Sequence, residues 1–271
     1  MRHSLSLFAV IATGIAACAQ STLSGTISSG GSGMGDQPLE FVNIVTGAGA
    51  TGAAVVNHPD VNKIAFTGST NVGKLIQRAT AGSGKKLTLE LGGKAANIIF
   101  ADAAIDQAVE GIINGIYFNQ GHVCCAGSRL FVEEGVYDEV IRKLKHRMRS
   151  LVVGDPLDKN TDIGAINSRE QLGTINKYLK VGVADGAEMY QPACELPSKG
   201  FWCRPTLFLN VAQSARIAQE EIFGPVLAVQ TFRTVDEVIQ KANNTPRGRI
   251  RIAFGSERDV FRDQARRETR A

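Results

Sequence analysis

From Phe41 onward, short apolar runs rich in β-branched residues alternate with stretches whose apolar positions recur at helical spacing. The strand-like runs are Phe41–Thr46, Asn62–Thr67, Lys86–Glu90, Ala96–Phe100, Leu130–Glu133, Thr206–Asn210 and Val226–Phe232. Ile105, Val109, Ile112, Ile113 and Ile116 fall on one helical face, as do Val136, Val140, Leu144, Met148 and Leu151. Asp102 and Thr234 stand where N-caps of the following helices belong. Strand and helix in alternation predict an α/β fold, a mostly parallel sheet covered by helices. No internal repeat or heptad register interrupts the pattern.

Before Phe41 the pattern changes. Met1-Arg2-His3 leads into a mostly apolar stretch, Leu5 to Ala17, that ends Ile15-Ala16-Ala17-Cys18. This resembles a bacterial lipoprotein signal with its acceptor cysteine, and it is too short to span a membrane. A Gly/Ser-rich run from Ser21 to Gly35 follows and reads as flexible linker. The other reading of residues 1–40 is a segment not native to the fold, left by a shifted or late start.

With 271 residues, 44% hydrophobic and 21% charged, the chain has the make-up of a soluble globular protein of one large or two smaller domains. Its net charge of +4 comes from residues 247–271, which hold eight arginines and four acids. The rest sums to zero and carries no basic stripe, so a nucleic-acid partner is not expected. Five cysteines, two of them adjacent at 124 and 125, suit a reduced compartment better than a disulfide framework. No Cys-x2-Cys pair and no metal-ligand spacing among the four histidines occur, so no metal is expected.

The residues with chemical potential gather in a few segments. Leu89-Glu90-Leu91-Gly92-Gly93-Lys94 offers a carboxylate, and Asn119-Gln120-Gly121-His122-Val123-Cys124-Cys125-Ala126-Gly127-Ser128-Arg129 offers a thiol in a glycine-flanked turn. A sulfur that attacks a carbonyl and a base that activates water are the equipment for covalent carbonyl chemistry. The bland alternatives are a glutamate closing a strand and a buried, inert cysteine pair; Cys125 also competes with Cys124 for the nucleophile's part. Phe66-Thr67-Gly68-Ser69-Thr70-Asn71-Val72-Gly73 follows a strand and opens a helix, where Gly68 permits close backbone approach and Ser69 with the first amides can bind a pyrophosphate. Gly47-Ala48-Gly49-Ala50-Thr51-Gly52 matches Gly-x-Gly-x-x-Gly in form only. Glu220-Glu221-Ile222-Phe223-Gly224-Pro225 reads by itself as a charged helix end and a turn, and the basic run Arg142 to Arg147 as a solvated helix face.

In order and spacing, from Phe41 to Gly248, these segments resemble the signatures of the aldehyde dehydrogenase superfamily. The resemblance implies an aldehyde dehydrogenase-like α/β fold, with residues 41–91 as the last part of a Rossmann-like cofactor domain. Residues 92–248 would be part of the catalytic domain, and 249–271 a divergent basic tail. It implies NAD(P)-dependent oxidation of a small aldehyde to a carboxylic acid, with NAD as cofactor and NADP possible. Cys124, three after Gly121, would be the nucleophile and Glu90 the general base. Gly68 and Ser69 would hold the pyrophosphate, Gly49 would lie near the adenine end, and Gln171 on the adenosine side. Leu91 and Gly92 would border the nicotinamide. Glu221, 97 residues after Cys124, would bond the nicotinamide ribose, with Phe223 beside the ring.

Three departures stand out: His122 replaces a usual glutamine or glutamate, Asn71 a common glutamate, and Arg247 and Arg249 a tyrosine and a leucine. The family's upstream oxyanion asparagine and its lysine near the adenosine ribose have no counterpart here, and one lost oxyanion donor costs about 100- to 1,000-fold in rate. Family members are also longer and oligomerise through a segment without a counterpart here. The expectation is therefore a truncated, impaired enzyme, cytoplasmic because the cofactor is supplied there, or envelope-bound if the signal-like segment is genuine. The alternatives are an inactive remnant acting as an interaction protein, and a thiol redox or esterase-like protein that uses no nicotinamide.

Overall fold

The computed structural model describes residues 7–12, 24–27, 39–245 and 251–255. They fall into two compact units that divide between Leu91 and Gly92.

The first unit comprises β1 (Leu7–Ala12), β2 (Ser24–Ile27), β3 (Leu39–Asn43), α1 (Gly49–Asn57), β4 (Val61–Gly68), α2 (Thr70–Thr80) and β5 (Lys86–Leu91). Three of its strands form a parallel sheet in the order β1-β4-β5, and β2 pairs antiparallel with β3. This corrects the reading of the first 40 residues. Part of the signal-like stretch is β1, running beside β4 from Leu7 opposite Val61 to Ala12 opposite Thr67. An apolar segment with β-branched residues suits a sheet position, and there it covers a hydrogen-bonding edge that β4 would otherwise expose. Part of the Gly/Ser-rich run is likewise a strand, β2. The strand expected over Phe41–Thr46 instead runs Leu39–Asn43, in register with it. Cys18 and the rest of the Gly/Ser run lie outside the described residues.

Val56, Val61, Ile64, Phe66 and Ile76 form this unit's core, with Leu87, Leu89 and Leu91 packed against it. The alternation of β5 is therefore one-sided: its leucines turn inward, while Lys86, Thr88 and Glu90 are exposed.

In the second unit the elements are β6 (Ala96–Ile99), α3 (Ile105–Tyr117), β7 (Arg129–Glu133), α4 (Tyr137–Met148), α5 (Arg169–Ala184) and β8 (Glu188–Tyr190). They continue with β9 (Thr206–Leu209), α6 (Arg216–Gln219), β10 (Val226–Phe232), α7 (Val235–Asn243) and β11 (Arg251–Phe254). The sheet order is β11-β6-β7-β10-β9-β8, parallel throughout except for the β8–β9 pair. Strands with near-continuous apolar sequences are covered on both faces, and successive residues here reach different cores. Ile99, Leu130, Val132, Leu207, Leu227 and Val229 pack with residues of α3 and α4. Ile98, Phe131 and Phe232 pack with α7, and Phe208, Val226 and Ala228 with α5 and α6.

Thr234 caps α7 as the sequence suggests, its Oγ accepting from the Glu237 amide at 3.2 Å. Asp102 does not cap α3: the N-cap position is Ala104, without a side-chain bond. Asp102 stands two residues too early to reach the first-turn amides, and Asp106 inside that turn supplies the favourable negative charge instead. The basic run on α4 lies against α3 through Lys143–Asp106 and Arg147–Glu110 ion pairs at the surface. The divergent tail also contributes to the sheet, since β11 pairs with β6 from Arg251 opposite Ala96 to Phe254 opposite Ile99. Arg247 and Arg249 lie outside the described residues. No helix among the described residues is long and apolar enough to cross a membrane.

Arg129, at the start of β7, is 1% exposed. Its guanidinium donates to the Lys94 carbonyl from Nε (3.1 Å) and Nη2 (2.8 Å), and to the Ala242 carbonyl at 3.0 Å. It thus ties the strand after the cysteine turn to the segment entering β6 and to the C-terminal end of α7, where a cation is favoured. Arg129→Met, which strands these buried carbonyls, should lower stability by about 3 kcal/mol in urea denaturation.

Candidate active site

The cysteine turn is assembled from strained backbone. After α3, Asn119, Gln120 and Gly121 all take left-handed conformations, with φ of 49°, 47° and 75°. Such positions cost about 1–3 kcal/mol each for non-glycine residues, so surrounding bonds must hold them. The Asn119 side-chain amide donates to the His122 carbonyl (3.1 Å), and the His122 amide returns a bond to the Asn119 carbonyl (2.9 Å). Next comes a β-turn closed by Ala126 N–H to Val123 O at 3.0 Å, with Cys124 and Cys125 as its two central residues. Both are exposed. The turn's hydrogen bond uses neither of their amides, which leaves the Cys124 N–H able to face a developing oxyanion. Behind the turn, the Asn97 side-chain amide donates to the Gly127 carbonyl at 3.0 Å. A Cβ on Gly127 would sit 2.2 Å from that same amide, so only glycine fits. By contrast Cys203 is buried and its thiol is pushed up to about 12 by burial, which marks it as inert packing.

The second turn leans on the first. Phe223 is left-handed, with φ of 56°. Gln171, beside the Ser168 cap of α5, donates from its side-chain amide to the Ile222 and Phe223 carbonyls, both at 2.9 Å. The Gln171 amide nitrogen thus holds the Phe223 turn, a part the sequence did not suggest. A Cβ on Gly121 would lie 2.1 Å from the Gly224 carbonyl oxygen, so the two turns touch backbone to backbone. The His122 and Phe223 rings stack, with centroids 5.2 Å apart and planes 6° from parallel.

Glu221 lies on the Gly92–Gly93 backbone. Its Oε1 accepts from the Gly93 amide at 3.3 Å, and a Cβ on Gly92 would fall 1.8 Å from Oε2. The double glycine is therefore required by this carboxylate as well as by the chain's change of direction. Beside it sits Lys94, which sequence reasoning passed over. Its side chain is completely buried, and Nζ has no hydrogen-bond partner among the described residues. Burial, and next the Arg129 charge, push its pKa down to about 7, against the raising effect of Glu221 and Glu220. The available signal was a lysine directly following Gly-Gly at the entrance to a fully buried, mostly apolar strand.

In the first unit, Gly68 ends β4 and Ser69 is the N-cap of α2, its Oγ accepting from the Val72 amide at 3.3 Å. That bond uses Ser69 as an acceptor and leaves its O–H as a donor. Thr70 Oγ1, next to it, is buried without a partner among the described residues. First-turn amides and an unpartnered hydroxyl suit an anionic oxygen. Gly49 is the first residue of α1, with open space around it. Leu91 packs over Gly73, where a Cβ would come within 2.5 Å of its Cδ2. Glu90 stands on the exposed face of β5. Each unit therefore carries part of the expected set: Gly49, Gly68, Ser69, Glu90 and Leu91 in one, and Gly92, Cys124, Gln171, Glu221 and Phe223 in the other. Among the described residues, no group of three or more His, Cys, Asp or Glu side chains is arranged to hold a metal ion.

Comparison with known proteins gives a consistent result. Residues 34–268 match the sequence model described as the aldehyde dehydrogenase family. Human retinal dehydrogenase 2 is 49% identical over 219 residues, which is 80% of this chain and 42% of that protein. Rat aldehyde dehydrogenase, cytosolic 1, is 46% identical over 224 residues, 82% of this chain and 45% of its own. Among solved structures, an NAD-dependent aldehyde dehydrogenase from Sinorhizobium meliloti superposes with a TM-score of 0.79 at 38% identity, covering 82% of this chain and 45% of that one. An NAD+ complex of the Bacillus cereus enzyme gives 0.78 at 38% identity, covering 83% and 46%. The chain thus spans less than half the length of the relatives it matches.

The buried Lys94 makes stability depend on pH in a defined direction. Its pKa rises from about 7 in the folded protein to its ordinary 10.5 on unfolding. Between those values the unfolded chain holds a proton that the folded one lacks, so this group's contribution to stability grows as pH rises and is least favourable below pH 7. Urea midpoints taken from pH 7 to 9 should climb more steeply for the wild type than for Lys94→Met. The difference should be at most about 1.4 kcal/mol per pH unit.

Proposed function

The chain belongs to the aldehyde dehydrogenase family, and on that footing we propose that it carries the chemistry of NAD(P)-dependent aldehyde oxidation. The observation that carries this reading is the pairing, in one unit, of an exposed Cys124 at a braced turn with a Glu221 carboxylate on the Gly92–Gly93 backbone. NAD is the cofactor of choice, with NADP as an option; a bound nicotinamide would accept a hydride from the adduct on Cys124. Gly68, Ser69 and Thr70 fit its pyrophosphate, and Glu221 and Phe223 its ribose and ring. Gln171 acts indirectly, by fixing the turn that carries Phe223.

The remaining steps belong to the chain's own groups. The Cys124 thiolate adds to the aldehyde carbonyl, forming a C–S bond and a thiohemiacetal oxyanion to which the Cys124 amide N–H can donate. After loss of hydride the carbon is a thioester on sulfur. Glu90, exposed at the end of β5 and two residues before Gly92, takes a proton from water. The resulting attack breaks the C–S bond and frees a carboxylic acid and the thiolate. The substrate is a small aldehyde, and the compartment one that supplies NAD.

The test is NADH formation by the purified chain with a panel of aldehydes. Cys124→Ala should abolish it and Cys125→Ala should not. Glu90→Gln should keep a first-turnover burst of NADH while slowing steady turnover by about 100- to 10,000-fold. Absence of aldehyde-dependent NADH from the wild-type chain would instead favour an inactive remnant. Ester hydrolysis that survives Cys124→Ala would remove the assigned nucleophile.

A further inference from the structure

His122, beside the proposed nucleophile, departs from the family pattern, and the structure gives it a distinct position. It lies two residues before Cys124, on the turn built from three consecutive left-handed residues. Its ring lies flat on Phe223, across the contact where Gly121 meets the Gly224 carbonyl. Its Nε2 is buried without a hydrogen-bond partner among the described residues. A neutral imidazole tolerates this as one unused lone pair or one unused N–H. An imidazolium carries a donor on both nitrogens together with a full charge, and the pocket that buries Nε2 offers no acceptor.

We propose that His122 is a proton-sensitive positioning residue: its uncharged ring, stacked on Phe223, fixes the Cys124 turn against the Ile222–Gly224 turn, and protonation releases that contact. Two strained turns that lean on each other need a bracing contact, and this is the side-chain contact between them that can be switched by one proton. The titratable groups nearby are Cys124 and Cys125 on its own turn, Glu220 and Glu221 on the facing turn, and Lys94 beside Glu221. The cause of the His122 shift is burial alone, which holds its pKa below the ordinary 6.5. The braced state is therefore complete above that pH and is lost as pH falls through the lowered value. A glutamine in its place does not titrate, so the switch is a property of this chain's own sequence.

The consequence for catalysis rests on the proposed function; the switch itself does not. The test therefore reads the chain without cofactor. NMR of imidazole-labelled protein should show His122 titrating below 6.5, with ring-current-shifted protons, and Phe223→Leu should move the pKa upward and abolish the ring-current shift. In a Cys125→Ala background, labelling of Cys124 by iodoacetamide, followed by peptide mass spectrometry from pH 5 to 8, should show an inflection at the His122 pKa. That inflection should change the rate by a factor of several relative to His122→Gln, whose profile follows thiolate ionisation alone. Superimposable labelling profiles for wild type and His122→Gln, or a His122 that titrates at or above 6.5, would overturn the proposal. Failure of NADH formation with an intact inflection would strike the enzymatic reading and leave the switch standing.

Discussion

The second unit hangs on the Arg129 guanidinium. A fully buried cation needs acceptors on every side, and those of Arg129 include main-chain carbonyls of Lys94 before β6 and of Lys241 and Ala242 at the end of α7. Because Arg129 directly follows the cysteine turn, its position sets where that turn emerges from the sheet. Because it grips the Lys94 carbonyl, it also sets the path of the Gly92–Gly93 backbone under Glu221. One side chain thereby fixes the spacing between the proposed nucleophile and the carboxylate that would face the cofactor. The left-handed Asn119 and Phe223 are held by their own local bonds, from the Asn119 amide and from Gln171.

Much of this was legible along the chain. The mostly apolar runs at Ala96, Leu130 and Val226 announce strands covered on both faces, since they lack a regular apolar/polar alternation. The alternation in Lys86–Leu91 announces a strand covered on one. Glycine spacing around Cys124 marked a tight turn, and the coordinates give the reasons: Asn97 leaves no room at Gly127 and the Gly224 carbonyl none at Gly121. What stayed hidden depends on partners distant in sequence. Nothing local distinguishes Leu7–Ala12 from a signal-like stretch; only β4, more than 50 residues later, makes it a strand. Gln171 was given an adenosine contact by the family resemblance alone. That its amide nitrogen also engages carbonyls 51 and 52 residues away could not be read from the sequence.

Lys94 went unremarked, and His122 stood out only as a departure from the family pattern, for a shared reason. Both are polar residues whose significance lies in what they lack, namely a partner for a buried nitrogen. Composition and spacing describe which groups are present, not which of them fail to find company on folding. They flank the same carboxylate-and-thiol region, and each is held away from its ordinary ionisation by burial. Perturbed titratable groups of this kind cluster where chemistry is done.

The pairing of β11 with β6 bears on how the polypeptide reaches this state. Ala96 finds its partner at Arg251, 155 residues further along the chain. During synthesis β6 is therefore complete, and open along one side, long before the ribosome delivers the strand that covers it. Closing so long a loop is slow, and an uncovered apolar strand is prone to pair with the wrong neighbour in the meantime. A nascent chain of this protein therefore carries β6 with that side unpaired until Arg251–Phe254 has been made.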